Sequence, residues 1–134
     1  MSQVIIHETA NGNVAVTVPT GEIHINEVLT KDCPAGAIIV DDSVLPQGSD
    51  AQFFDAWELA GGKVTVNFTK AQAIRLAQFN AAAVQVAQAR QLNTLAGIAN
   101  AVADADFIAA LTAGRAAIAA AKTTADLVAI ANPV

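Results

Sequence analysis

Two histidines, a single cysteine and a pair of adjacent aspartates carry most of the chemical potential in this 134-residue sequence. His7 and His24 fall in separate expected strands, with no Cys or His partner at a zinc-binding spacing, so both are expected as exposed strand side chains. Asp41-Asp42 offers hard oxygen donors, but DDSVLPQGSD lacks the D-x-D-x-D-G order and the terminal Glu of a calcium loop, and it is expected as a solvated turn. Cys33 has no adjacent histidine and precedes Pro34, which suits a half-buried thiol better than a nucleophile. Ser43, Ser49 and the threonines lack a G-x-S-x-G context. The glycines form neither G-x-G-x-x-G nor a phosphate loop. Trp57, with Phe53 and Phe54 just before it, is expected in a core and not as a ligand platform. These residues imply a protein that is not an enzyme and holds no metal and no cofactor.

Charge divides the chain. Residues 1–67 carry nine acidic and two basic side chains, residues 68–134 three acidic and five basic, and the two nets of −7 and +2 combine to the chain's −5. An acidic front half with basic residues spread thinly behind it excludes a nucleic-acid partner, because phosphate binding needs clustered Lys and Arg. Alanine is just as uneven, seven before residue 68 and twenty-four after it. One cysteine permits no intramolecular disulfide. The start, MSQVIIHETA, lacks a basic segment followed by an apolar one, so no signal peptide is expected. Polar interruptions such as Gln85, Gln88, Arg90 and Asn93 leave no membrane span.

The elements that would position these residues form an α+β chain: a small antiparallel β-part of about five short strands and two hairpins over 1–67, then an alanine-rich helical part over 68–134. Asn11-Gly12, between VIIHE and VAVTV, predicts a hairpin with a two-residue type I′ turn, since both residues tolerate positive φ. Pro19 ends the second strand. EIHINEVLTK alternates at Ile23 and Ile25 before losing the pattern. CPAG predicts a turn with Pro34 at its second position and Gly36 at its fourth. AIIV predicts a short buried strand, DDSVLPQGSD a loop, and Gly61-Gly62 a second hairpin between AWELA and KVTVNF. The expected β core is Val14, Val16, Ile39, Trp57, Val64 and Val66.

Behind it, Thr69 and Gln72 spell a capping box. KAQAIRLAQFNAAAVQVAQARQ, free of Gly and Pro, predicts a helix over 70–91 that bends or restarts near Asn93–Gly97, or continues to 102. Ile74, Ala77, Ala81 and Val84 fit one apolar stripe; Leu92, Leu95, Ala99 and Val102 fit another. Carried to 102, the helix would span roughly 50 Å, against about 36 Å for a compact chain of this length. A second helix is expected over 105–121, capped by Asp104 or Asp106 and interrupted or split at Gly114, and a short third over 124–131, starting at Thr123 or Thr124 and ending before Pro133.

This half has no Glu and few charges, so i, i+4 ion pairs do not keep it soluble. Its alanines let helix backbones approach closely, and RAAIAAAK is expected to lie under another helix, of this chain or of a copy. The candidate interface residues are Val84, Leu95, Ile98, Val102, Phe107, Leu111 and Ile118.

At NGNVAVTVPTGE, KDCPAGAIIVDDSVLP and FFDAWELAGGKVTVNFTKAQAIR the chain resembles a family of small proteins encoded in the tail modules of tailed bacteriophages and prophages. The residues that carry the resemblance are Asn11, Gly12, Pro34, Ala35, Gly36, Ile39, Val40, Asp41, Asp55, Ala56, Trp57, Glu58, Lys70 and Ala71. It covers most of residues 11 to 76. Such proteins carry helical tails rich in Arg, Asp and Glu, where this chain has alanine and glutamine. The resemblance implies a virion structural protein associated with the tail or tail fibre, or alternatively a non-virion assembly factor such as a tail-fibre chaperone. The implied partners are copies of itself or other phage structural proteins, in the virion or in the host cytoplasm during assembly. The resemblance brings no catalytic residue.

Overall fold

The computed structural model describes residues 2–134, which adopt an α+β fold. The chain divides into a first compact unit ending at Lys70 and a second from Ala71 to Val134. This break lies inside a helix, a few residues past the change of composition.

In the first unit, β1 (Gln3–Glu8) is the middle of a three-stranded antiparallel sheet, flanked by β2 (Val14–Thr17) and β3 (Ile38–Asp41). Val4, Ile5 and Ile6 are all buried, as expected of a central strand covered on both faces. Val4 and Ile6 point to one side, where they join Val14, Trp57 and Val64, with Val16, Ile38, Val40, Leu59 and Val66 packed around them. Trp57 and Val64 come from a separate hairpin, β4 (Trp57–Ala60) and β5 (Lys63–Val66). Ile39, expected in this core, takes the other face: it pairs with Ile5 across the ladder, and side chains alternate along a strand. That second face meets α1 (Ile25–Asp32), which contacts β1 and β3.

The two hairpin turns differ. Gly61 and Gly62 both have positive φ (58° and 77°) and join Ala60 directly to Lys63, the two-residue turn that a glycine pair predicts. At the first hairpin only Gly12 is left-handed (φ 82°), and Asn11 is not. The amide of Gly12 donates to the Thr9 carbonyl at 3.0 Å and that of Thr9 to the Asn13 carbonyl at 2.8 Å. The loop is therefore one residue longer than expected, a tight turn closed by a left-handed glycine. The Thr9 hydroxyl selects it by accepting from the Asn13 amide at 3.2 Å.

α1 replaces the uncertain strand pattern of EIHINEVLTK. Ile23 is exposed, so the alternation does not mark a buried sheet face. His24 caps the helix through Nδ1, which accepts from the Asn26 amide at 3.2 Å, and is thus no strand residue. Cys33 ends the helix in an extended conformation, as a residue before proline is forced to be. The following turn sits one residue later than expected: the Ala37 amide donates to the Pro34 carbonyl at 3.2 Å, leaving Gly36 (φ 89°) third. The stretch expected as a loop from 41 to 50 holds two 3-10 segments, Asp42–Val44 and Gly48–Ala56, the second kinked at Phe53.

α2 (Phe68–Leu95) opens on Asn67, not Thr69. Asn67 Oδ1 accepts from the Lys70 amide at 3.1 Å while its Nδ2 donates to Glu58 at 3.2 Å, so one asparagine joins the helix start to β4. Gln72, freed from the expected capping box, donates instead to the Ile118 carbonyl at 3.1 Å. At 28 residues the helix is about 42 Å long. It does not continue to 102. The Ile98 amide donates to the Asn93 carbonyl at 2.8 Å and the Gly97 amide to the Thr94 carbonyl at 3.2 Å, with Gly97 at φ 73°. This pair of bonds around a left-handed glycine is a Schellman stop. Asn93, Thr94 and Gly97, which mark a change of apolar phase in the sequence, are the helix terminus itself.

α3 (Asp104–Ala120) has Ala103 at its cap position, so Asp104 and Asp106 lie within the first turn. There their charges complement the helix dipole. Gly114 neither splits nor ends α3. α4 is shorter than expected, Thr124–Ala129, and opens on a reciprocal box in which the Thr123 hydroxyl accepts from the Asp126 amide at 3.2 Å. Asp126 in turn accepts from the amides of Lys122 and Thr123 at 3.0 and 3.2 Å. These bonds, led by the Lys122 amide, hold the Asp126 carboxyl below its ordinary pKa. A carboxylate whose pKa is lower folded than unfolded stabilises above the unfolded value and loses that contribution as pH falls through the folded one. Acid titration followed by circular dichroism is therefore expected to cost wild type a stabilising increment that Asp126→Asn lacks at every pH. Parallel acid curves for the two would contradict this.

Candidate functional site

Among the described residues no three His, Cys, Asp or Glu side chains converge as metal ligands. His7 lies half-buried on β1 with no hydrogen-bonding partner for Nδ1. Asp41 caps the turn that follows it, accepting from the Ser43 amide at 2.9 Å, and this bond holds its carboxyl below the ordinary pKa. Trp57 Nε1 donates to the Asp50 carbonyl at 3.0 Å and its ring tilts against Phe54 at 4.8 Å, which fixes it as structure. Cys33 is half-buried. No helix among the described residues is long and apolar enough to cross a membrane. The feature that stands out is the surface of the helical unit.

That surface follows from how the unit is held together. Ala71, Arg75, Phe79 and Ala83, four residues apart, are the buried positions of α2. This is not the stripe that apolar periodicity selects, because one of its members is an arginine. Arg75 is 6% exposed, and its guanidinium donates to the carbonyls of Leu127 at 3.1 Å and Ile130 at 2.6 Å, at the end of α4. Its charge is matched by the negative end of that helix. Phe79, 1% exposed, packs where α3 has Gly114. Farther along, Arg90 donates to the Val102 carbonyl at 2.7 Å, pairs with Asp104 and lies 4.9 Å over the Phe107 ring. Arg115 donates to Asn80 at 3.1 Å. Three arginines thus fasten helix to helix through hydrogen bonds that hydropathy does not register.

Of the residues expected at an interface, Phe107 and Ile118 are taken by this internal packing, 8% and 2% exposed. Val102 and Leu111 are half-buried. Val84, Leu95 and Ile98 are exposed at 55%, 78% and 58%, with Leu92 beside them at 66%. RAAIAAAK is covered on one side only, at Ile118 and Ala121, and α2 of the same chain approaches there through Gln72 and Phe79. Ala116, Ala117, Ala119 and Ala120 face outward.

At 100° per residue, Ala77, Ala81, Val84, Gln88, Leu92 and Leu95 fall within about 80° of one another. All six are exposed. Their mean direction is about 160° from that of the buried positions Ala71, Arg75, Phe79 and Ala83, so α2 presents one face to its own unit and a second apolar face away from it. The second face carries no charge: of the helix's charged residues, Lys70 pairs with Glu58 at 3.4 Å, Arg75 is buried and Arg90 turns to Asp104. Val84 and Leu95 belong to the interface expected from the sequence; Leu92, at the edge of the same face, completes it.

A hollow of about 300 Å³ between α2 and α3 is lined by Gln72, Ala73, Leu76, Arg115, Ile118 and Ala119. A second, of about 360 Å³, lies nearer the turn between the helices, beside Arg90, Thr94, Phe107 and Ile108. Both are shallow, and the one carboxylate among their lining residues, Asp104 in the second, is paired with Arg90. Comparison with known proteins finds no matching family model, no matching curated protein and no matching solved structure.

Proposed function

We propose that this chain is a non-enzymatic structural component of a tailed-bacteriophage particle, associated with the tail or tail fibre, that assembles through its helical unit. The observation that carries the assembly part is the uncharged apolar face of α2, where Val84, Leu92 and Leu95 stand exposed on a helix already packed on its opposite side. Apolar side chains concentrated on one uncharged strip of a helix mark a contact surface better than apolar residues scattered singly. The phage context is supported by the resemblance over residues 11 to 76 alone. Mass spectrometry of purified particles tests the proposal: the chain is expected in fixed stoichiometry with the other tail proteins. Its absence from mature particles, with presence in infected cells, would overturn the structural role in favour of an assembly factor whose helices shield a partner's apolar segment.

A further inference from the structure

We infer that the exposed face of α2 pairs with the same face of a second copy of this chain, Val84 and Leu95 forming the centre of the contact; this rests on the structural role proposed above. Three observations favour a copy over another partner. The face bears neither positive nor negative side chains, so it offers nothing by which an oppositely charged partner would be selected and nothing that repels its own duplicate. Ala77, Ala81, Val84, Gln88, Gln91 and Leu95 recur at alternating spacings of four and three, the period at which two helices mesh along a seam, and a copy supplies the matching period by construction. A two-fold contact needs a patch complementary to itself, which an uncharged strip of small and aliphatic side chains with two glutamines satisfies.

Size sets the strength. The strip from Ala77 to Leu95, about 28 Å long and about 10 Å wide, removes roughly 280 Å² per copy, about a third of what a standard stable interface takes. The pair is therefore weak and reversible when free, and becomes persistent where a particle holds copies side by side and raises their effective concentration. Gln88 and Gln91, polar positions inside an otherwise apolar seam, lower its stability and restrict the registers in which the copies meet.

Sedimentation equilibrium of the full chain over about 1 μM to about 1 mM tests this, since that range brackets weak association. The expected result is a rise in average mass towards the dimer. Val84→Glu and Leu95→Glu, both at exposed positions, should each shift the midpoint at least about tenfold to higher concentration while leaving the circular dichroism spectrum and melting temperature unchanged. Val128→Glu, exposed on α4, which Arg75 holds at the opposite face of α2, should shift nothing. A chain that stays monomeric to about 1 mM, or a dimer lost in Val128→Glu but kept in Leu95→Glu, overturns the pairing. Because particle mass spectrometry is read separately, a monomeric chain that is still stoichiometric in particles would remove the self-pairing and leave the structural role standing.

Discussion

Arg75→Met is expected to destabilise the helical unit by about 3–5 kcal/mol. The substitution keeps an apolar stem of similar reach but deletes two charge-assisted hydrogen bonds, each worth about 1.5–3 kcal/mol, and leaves the carbonyls of Leu127 and Ile130 without their donor in a site the arginine nearly fills. The loss should concentrate at α4, which has only six residues and whose C-terminal carbonyls the arginine holds. Urea denaturation followed by far-ultraviolet circular dichroism measures the total, and hydrogen exchange of amides 124–130 localises it. Arg75→Lys should recover only part of the loss, because one ammonium cannot reach two carbonyls with the fixed fork of a guanidinium. A change below about 1 kcal/mol in Arg75→Met would mean that the packing of Leu127, fully buried, holds α4 without the arginine.

The second large effect runs against local propensity. In the interior of a helix, Gly→Ala normally stabilises by about 1 kcal/mol. At Gly114 a Cβ would stand 2.2 and 2.4 Å from two atoms of the Phe79 ring, whose own burial denies it room to withdraw. Overpacking of this kind costs about 1–3 kcal/mol or more, so Gly114→Ala is expected to be net destabilising. A double-mutant cycle sharpens the point: in a Phe79→Leu background, where the ring is gone, the same Gly114→Ala should become neutral or stabilising. Coupling of that sign and size between positions thirty-five residues apart would show that the glycine serves the approach of the ring. Additive effects in the cycle would contradict it.

Both substitutions concern residues that the sequence marks poorly. Gly114 reads as a helix interruption because propensity counts only the backbone, whereas here a missing side chain makes space for a neighbouring helix. Arg75 reads as one of a few scattered cations because its partners are carbonyls, which every residue has and no composition reveals. Ile74, Ala77, Ala81 and Val84 do form an apolar stripe, as the spacing predicts. What spacing cannot give is which face the chain itself will cover, and it covers the one with the arginine and the phenylalanine. For the same reason Phe107 and Ile118, read from the sequence as interface residues, became internal core: a large apolar side chain serves either purpose, and only the position of the neighbouring helix decides. The proposed seam residues Val84 and Leu95 were legible as apolar positions of a long helix. Their exposure was not.

In the first unit the local signals were stronger. Gly61-Gly62, the alternation of Val14 and Val16, and the apolar run before Asp41 each specify a turn or strand within a few residues. The exceptions arose where two local signals competed. The Thr9 hydroxyl turned an Asn-Gly pair into a longer loop, and His24 supplied a helix cap inside an alternating segment.

The sequence by itself therefore determined the α+β division, the five strands, the location of the three helices of the second half and the poverty of charge there, because these depend on period, turn chemistry and composition, all of which act over short distances. Tertiary structure alone decided that Arg75, Arg90 and Arg115 bind helices together, that Gly114 admits Phe79, and that one apolar face of α2 is left outward. Those outcomes depend on residues tens of positions apart meeting in space, where a carbonyl, a ring or a missing Cβ acquires a partner that no neighbour in the chain could announce.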